Sequence, residues 1–138
     1  MATRVRAVII HDGKVLLIHR IKKDDEYWVF PGGGVEETDK NPESALYREC
    51  VEELGIEMRI GCLFDSNQTE LHGEVREEIF FFCEQIGGVL GSGTGPEYTA
   101  NNKGEYSLEW VDLNGTSPME VRPKDIWQKL LKEVNGNA

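Results

Sequence analysis

The stretch NPESALYRECVEELG, Asn41 to Gly55, constrains the fold most, because it carries both ends of a helix in a region otherwise rich in strand formers. Asparagine suits the N-cap and proline the first helical position. Glycine at position 55 suits C′ and ends the helix. Ahead of it, residues 3–10 and 14–21 are β-rich, with Asp12-Gly13 between them, a strong hairpin signal. The run KKDDE then reads as a charged loop, and Tyr27-Trp28-Val29-Phe30 as a short apolar piece stopped by Pro31 and three glycines. Behind the helix, residues 57–65 and 75–86 read as strands, with Phe80-Phe81-Phe82 as sheet core. Gly87 to Gly104 holds six glycines and reads as a loop long enough to suspect function. Leu108-Trp110-Val111 is a further strand. Pro123 opens a last helix, with Ile126, Leu130, Leu131 and Val134 as its apolar stripe. Strands, one central helix, more strands and one terminal helix predict an α/β fold, a mixed sheet covered by helices.

A chain of 138 residues fits a single domain over 1–138. Its formal net charge of −10 argues against a general nucleic-acid binder, since no basic excess exists to displace counterions. A small phosphorylated ligand stays open, because a bound divalent cation inverts the local field. Cys50, Cys62 and Cys83 have no metal-like spacing and read as buried, reduced thiols. MATRVRAVII enters a strand pattern without a signal-like apolar region, and no apolar run approaches a membrane span. The expectation is a soluble cytoplasmic protein with no membrane partner. A homodimer is among the assemblies such a domain can form.

Chemistry concentrates on the central helix. At about 100° per residue, Glu49, Glu52 and Glu53 share an arc of roughly 100°. Leu46, Tyr47, Cys50 and Leu54 gather on another arc. Like charges at these spacings repel by a few tenths of a kcal/mol per pair, so either water screens them or a cation sits among them. Gly32-Gly33-Gly34 precedes the helix and allows close backbone approach of an ion or ligand. A hard divalent ion takes carboxylate and carbonyl oxygens, which Glu49, Glu52, Glu53 and the Gly33 carbonyl can supply. Arg48 can fix one carboxylate by paired hydrogen bonds. Arg20, Lys22 and Lys23 can touch a phosphate, but a solvated charged loop is the plainer reading of them. His11, His19 and His72 are scattered and taken as no one's ligands.

The stretch from Gly34 to Ile56 resembles the signature box of the Nudix hydrolases. Gly34, Arg48, Glu49, Glu52, Glu53, Gly55 and Ile56 match it in register, and Cys50 takes an apolar place. Trp28-Val29-Phe30-Pro31 ahead and Leu108-Glu109-Trp110-Val111 behind also look right for that family. The resemblance implies an α/β/α sandwich around a mixed sheet. It implies a hydrolase that cleaves the pyrophosphate linkage of a nucleoside diphosphate joined to another group, such as ADP-ribose, a (deoxy)nucleoside triphosphate, a dinucleoside polyphosphate or a nucleotide sugar. Glu52 and Glu53 would ligate Mg²⁺ or Mn²⁺, with Glu49 as base or further ligand and the Gly33 carbonyl completing part of the shell. Arg48 would orient a glutamate, while Gly32, Gly34 and Arg20 would meet the substrate. In this family the base sometimes comes from a later loop; Glu97 is the candidate here and Glu105 the second. The alternative is a nucleotide-sensing module of the same fold that does not cleave.

One position departs from the box: Lys40 stands where the family has a glutamate. At ~6 Å and an effective dielectric near 20, +1 and +2 charges repel by about 5 kcal/mol before screening. Lys40 is therefore expected to point into water, with Asp39 or water in the vacated place.

Overall fold

A computed structural model describes residues 2–71, 73–91, 105–114 and 119–135, the side chains of Leu71 and Glu105 excepted. In chain order the elements are β1 (Ala2–His11), β2 (Lys14–Lys22), β3 (Asp25–Val29), β4 (Gly32–Gly34), α1 (Pro42–Leu54), β5 (Ile56–Leu71), β6 (Glu74–Gly88), β7 (Glu105–Asp112), β8 (Val121–Arg122) and α2 (Lys124–Asn135). They form two compact units. One comprises the described residues of Met1–Ile9 and Pro31–Thr99, the other those of Ile10–Phe30 and Ala100–Ala138.

In the first unit β1 runs parallel to β6 and antiparallel to β4, and β5 closes antiparallel on β6. Val5 and Ala7 point into the core across a half-buried Arg6, and Ala7 to Ile9 are buried on both faces. Helix α1 packs against β4 and β5 and buries Ala45, Leu46, Cys50 and Leu54. Tyr47, expected on that arc, is 40 % exposed; its hydroxyl donates to Glu57 instead of entering the core. Asn41 caps the helix by accepting from the Ser44 amide at 2.8 Å. Gly55 ends it at φ +77°, where its amide reaches the carbonyls of Cys50 and Val51. Two more amides seal that end: Val89 donates to Gly55 O and Gly91 to Leu54 O, so backbone carbonyls past the last turn are satisfied.

In this unit two elements differ from the expectation. The triple glycine is a short strand paired with Arg4, Val5 and Arg6, not only a turn. The β5–β6 hairpin also extends well past residue 65, through Asn67↔Glu78 to Leu71↔Glu74. Apolar alternation marks only a strand with one buried face. This part of the hairpin is largely exposed and rests on its ladder of backbone hydrogen bonds, so its sequence carried no such mark.

In the second unit β2 lies between β3 and β7, antiparallel to both, and β8 adds to β3 in parallel. Asp12 and Gly13 turn at φ +52° and +74°, the two positive angles that a tight hairpin matching the strand twist needs. The expected KKDDE loop shrinks to the turn Lys23-Asp24, with Asp25 already paired to Lys22. Val15 to Ile18 are all buried, so β2 is a core strand on both faces. His19 binds Glu109 through Nδ1 at 2.5 Å and Glu26 through Nε2 at 2.7 Å, and stacks on Trp28 at 4.1 Å. These contacts pin β2 to β3 and β7. Arg122 forks onto Asp25 and lies 4.0 Å from the Tyr27 ring, which ties β8 to β3. Helix α2 buries Ile126, Trp127 and Leu130. Leu131 is half-buried and Val134 is 45 % exposed, so the inward stripe is rotated toward Trp127 and away from the position expected for Val134.

Among the described residues no helix is long and apolar enough to cross a membrane. All three cysteines are free; Cys50 and Cys83 are buried, whereas Cys62 is exposed, against the expectation for that thiol.

Candidate active site

The acidic residues of α1 are organised by Arg48. Its Nε and Nη2 donate to the two oxygens of Asp39 at 3.1 and 2.9 Å, a forked pair. Nη1 donates to Glu49 at 3.0 Å, and Nη2 also reaches the Gly34 carbonyl at 3.2 Å. Glu36 at 3.7 Å and Glu52 at 3.6 Å complete the ring of acids around the guanidinium. These contacts raise the Arg48 pKa further, the Asp39 hydrogen bonds most, so the side chain is a fixed cation. The same bonds, with the Glu36 amide donating to Asp39 at 2.8 Å, hold the Asp39 carboxyl below its usual range. The repulsion expected among Glu49, Glu52 and Glu53 is thus answered in part by an internal cation.

Glu53 is 6 % exposed, a buried acid on the site's floor. Its Oε1 accepts from the Gly32 amide at 2.9 Å, which fastens α1 to β4. Gly32 has φ +147°, a conformation that side chains rarely adopt, and a Cβ there would strike the Val5 carbonyl. Gly33 faces Glu49 so closely that a Cβ would overlap the carboxyl group. The glycines therefore let the acid-bearing helix lie directly on backbone, an arrangement the sequence pattern anticipated through close approach.

Asp39, Arg48, Glu49, Glu52, Glu53 and the three glycines are all in the first unit. Lys40 is exposed, and no hydrogen bond or ion pair of it occurs among the described residues. Asp39 is spent on Arg48. The sequence signal for that pair was only the acid nine residues before an arginine, and the turn Glu36–Asp39 that joins them is a product of folding. Arg20 lies in the second unit, with its Nε buried, unpartnered, and its guanidinium 5.8 Å from the Tyr106 ring centroid. Glu97 lies outside the described residues, as does the side chain of Glu105.

The oxygen donors around Gly33 suit a hard divalent cation in kind. Among the described residues no three His, Cys, Asp or Glu side chains are placed to hold a metal ion: Glu36, Glu49 and Glu52 close on Arg48 Nη1, while Glu53 is turned to Gly32.

Solved structures share this fold. The solution structure of the E. coli ORF135 protein aligns with 96 % of this chain and 86 % of its own at TM-score 0.73 and 31 % identity. A MutT NUDIX hydrolase from Burkholderia pseudomallei aligns with 94 % of this chain and 96 % of its own at TM-score 0.72 and 24 % identity. The CTP pyrophosphohydrolase of Escherichia coli (strain K12) is 44 % identical over 73 residues, 51 % of this chain and 53 % of that protein. The chain matches about half the length of the first curated relatives. Residues 1–129 match the NUDIX domain, a span that takes in the Arg48 hub, the glycine strand and the first half of α2. The chain is α/β in the Nudix manner, and it belongs to the NUDIX domain family.

Proposed function

We propose that the chain is a pyrophosphohydrolase that adds water across the diphosphate linkage of a nucleoside diphosphate derivative, releasing a nucleotide and the second phosphorylated product. The observation that carries the reading is the Arg48 fork, which holds Asp39 on one side and Glu49 on the other, with Glu49 against the bare backbone of Gly33. Nudix hydrolases generally use divalent metal ions and act on small nucleotide derivatives. Here Mg²⁺ or Mn²⁺ would be held by Glu52, Glu53 and the Gly33 carbonyl, with Glu49 either a further ligand or the base, and when bound it would neutralise phosphate oxygens and acidify water. Glu49 fits the base, since Arg48 orients its carboxyl. Glu97 is the second candidate.

Among substrates a nucleoside triphosphate comes first, because the chain is 44 % identical to a CTP pyrophosphohydrolase over 73 residues. The 51 % identity over 45 residues to the RNA pyrophosphohydrolase of Pseudomonas putida (strain GB-1) covers only a third of this chain, and the net charge of −10 disfavours a long RNA body.

The test is a panel of CTP, ADP-ribose, a dinucleoside polyphosphate and a nucleotide sugar with Mg²⁺ or Mn²⁺, read by product mass in ¹⁸O-water. A mononucleotide product is expected. Glu52→Gln and Glu53→Gln should each remove most turnover, since an amide is a poorer ligand for a hard cation. Binding of nucleotides without turnover of any panel member would leave the sensing module as the function.

A further inference from the structure

A face of the β1–β6 ladder gathers three arginines. Residues paired across a ladder direct their side chains to one face, and alternate residues share it. The register Ala2↔Arg76, Arg4↔Glu78 and Arg6↔Phe80 therefore puts Arg4, Arg6, Arg76 and Glu78 together. Glu78 is spoken for: Arg6 Nε donates to it at 3.0 Å, with both side chains only 15 % exposed. Arg4 and Arg76 have no hydrogen bond or ion pair among the described residues and are half-buried. The chain has 25 acidic residues against 15 basic ones, so two unmatched arginines beside a third are not forced by composition. Burial lowers the Arg4 pKa first, and the neighbouring Arg6 and Arg76 lower it further, while Glu78 and Glu49 act the other way.

The place of this cluster gives it a use. On β4, Arg4 pairs with Gly34 and Arg6 with Gly32, so no side chain of that strand covers the arginines. A Cβ at Gly34 would meet open space. The carbonyl of the same Gly34 is held by Arg48. Gly33 turns to Glu49, so the arginines lie on the other side of the same glycine strand, one residue along it from the acid hub, and a phosphate can approach them over bare backbone.

We propose that Arg4 and Arg76, beside an Arg6 fixed by Glu78, bind a phosphate group additional to the cleaved diphosphate, so that the substrate is a nucleotide with three or more phosphates and not a nucleotide sugar. The inference rests on the pyrophosphohydrolase reading of the same site. The additional phosphate can sit in the phosphate chain or on the ribose.

The experiment compares the parent with Arg4→Gln, Arg76→Gln and the double variant, each checked for folding by circular dichroism. Substrates of one base are used: a nucleoside triphosphate, a nucleoside diphosphate with a ribose 3′-phosphate, and a nucleotide sugar. Each substitution should raise KM for a triphosphorylated substrate about tenfold, as loss of a charged hydrogen bond does, with kcat within about twofold. The nucleotide sugar should be indifferent. A rise confined to the triphosphate places the group in the chain, and one confined to the 3′-phosphate places it on the ribose. An equal change on all three substrates, or none, overturns the proposal. Calorimetry with inorganic triphosphate in EDTA requires no catalysis. Binding by the parent that the double variant loses supports the subsite even if no substrate is turned over, in which case the hydrolase reading alone falls. Equal binding by parent and double variant overturns the subsite even if the enzyme is active.

Discussion

At the scale of single residues, Arg48 decides the electrostatics of the site. It uses four hydrogen bonds to join Asp39, Glu49 and Gly34, a geometry that only a planar guanidinium supplies. Asp39 has a depressed pKa in the folded chain. Its ionised form therefore contributes stability above the unfolded value of about 3.9, and that contribution is lost as pH falls through the lower folded value. Asp39→Asn should destabilise the protein at pH 7, and the gap to the parent should close as the pH is lowered well below 4. Urea unfolding at pH 7, 5 and 3 measures this; a gap that stays constant would mean that the carboxylate charge does not hold Arg48. Lys40 poses the opposite case. Exposed as it is, Lys40→Glu should change the Mg²⁺ concentration for half-maximal activity by less than about threefold. A gain of ten-fold or more, about 1.4 kcal/mol, would place the lysine on the metal and favour the sensing module.

At the scale of elements, alternation and helical period govern which side chains water can reach. Cys50 falls on the buried stripe of α1 and Cys83 on the buried face of β6. Burial pushes the Cys83 thiol up to about 12 and raises Cys50 as well. Cys62 is exposed on β5, beside the register shift between Ile60 and Leu63. At pH 8 a water-soluble disulfide reagent should therefore label one thiol fast and the other two only as the protein opens, because the thiolate is the nucleophile. Two fast thiols in the native protein would contradict the strand facing. The helix α1 was readable to the residue at both ends, since Asn41, Pro42 and Gly55 act through local backbone chemistry. The hairpin beyond residue 65 was not, because backbone pairing between largely exposed strands needs no apolar pattern.

At the scale of the whole molecule, the spacing of Gly34, Arg48, Glu49, Glu52 and Glu53 in the sequence by itself determined the family, the α/β class and the helix that carries the acids. Those follow from short-range rules: a cap, a helical arc and a fixed spacing along the chain. Tertiary structure alone decided what each acid touches. Glu53 reads identically to Glu52 along the chain, yet one is buried on the Gly32 amide and the other half-exposed beside Arg48, because β4 packs against only one side of the helix. Arg4 and Arg76 are 72 positions apart in sequence, and the parallel register of β1 with β6 makes them neighbours. Long-range pairing of that kind depends on which strands meet in the folded chain, and no local pattern in either strand encodes its partner.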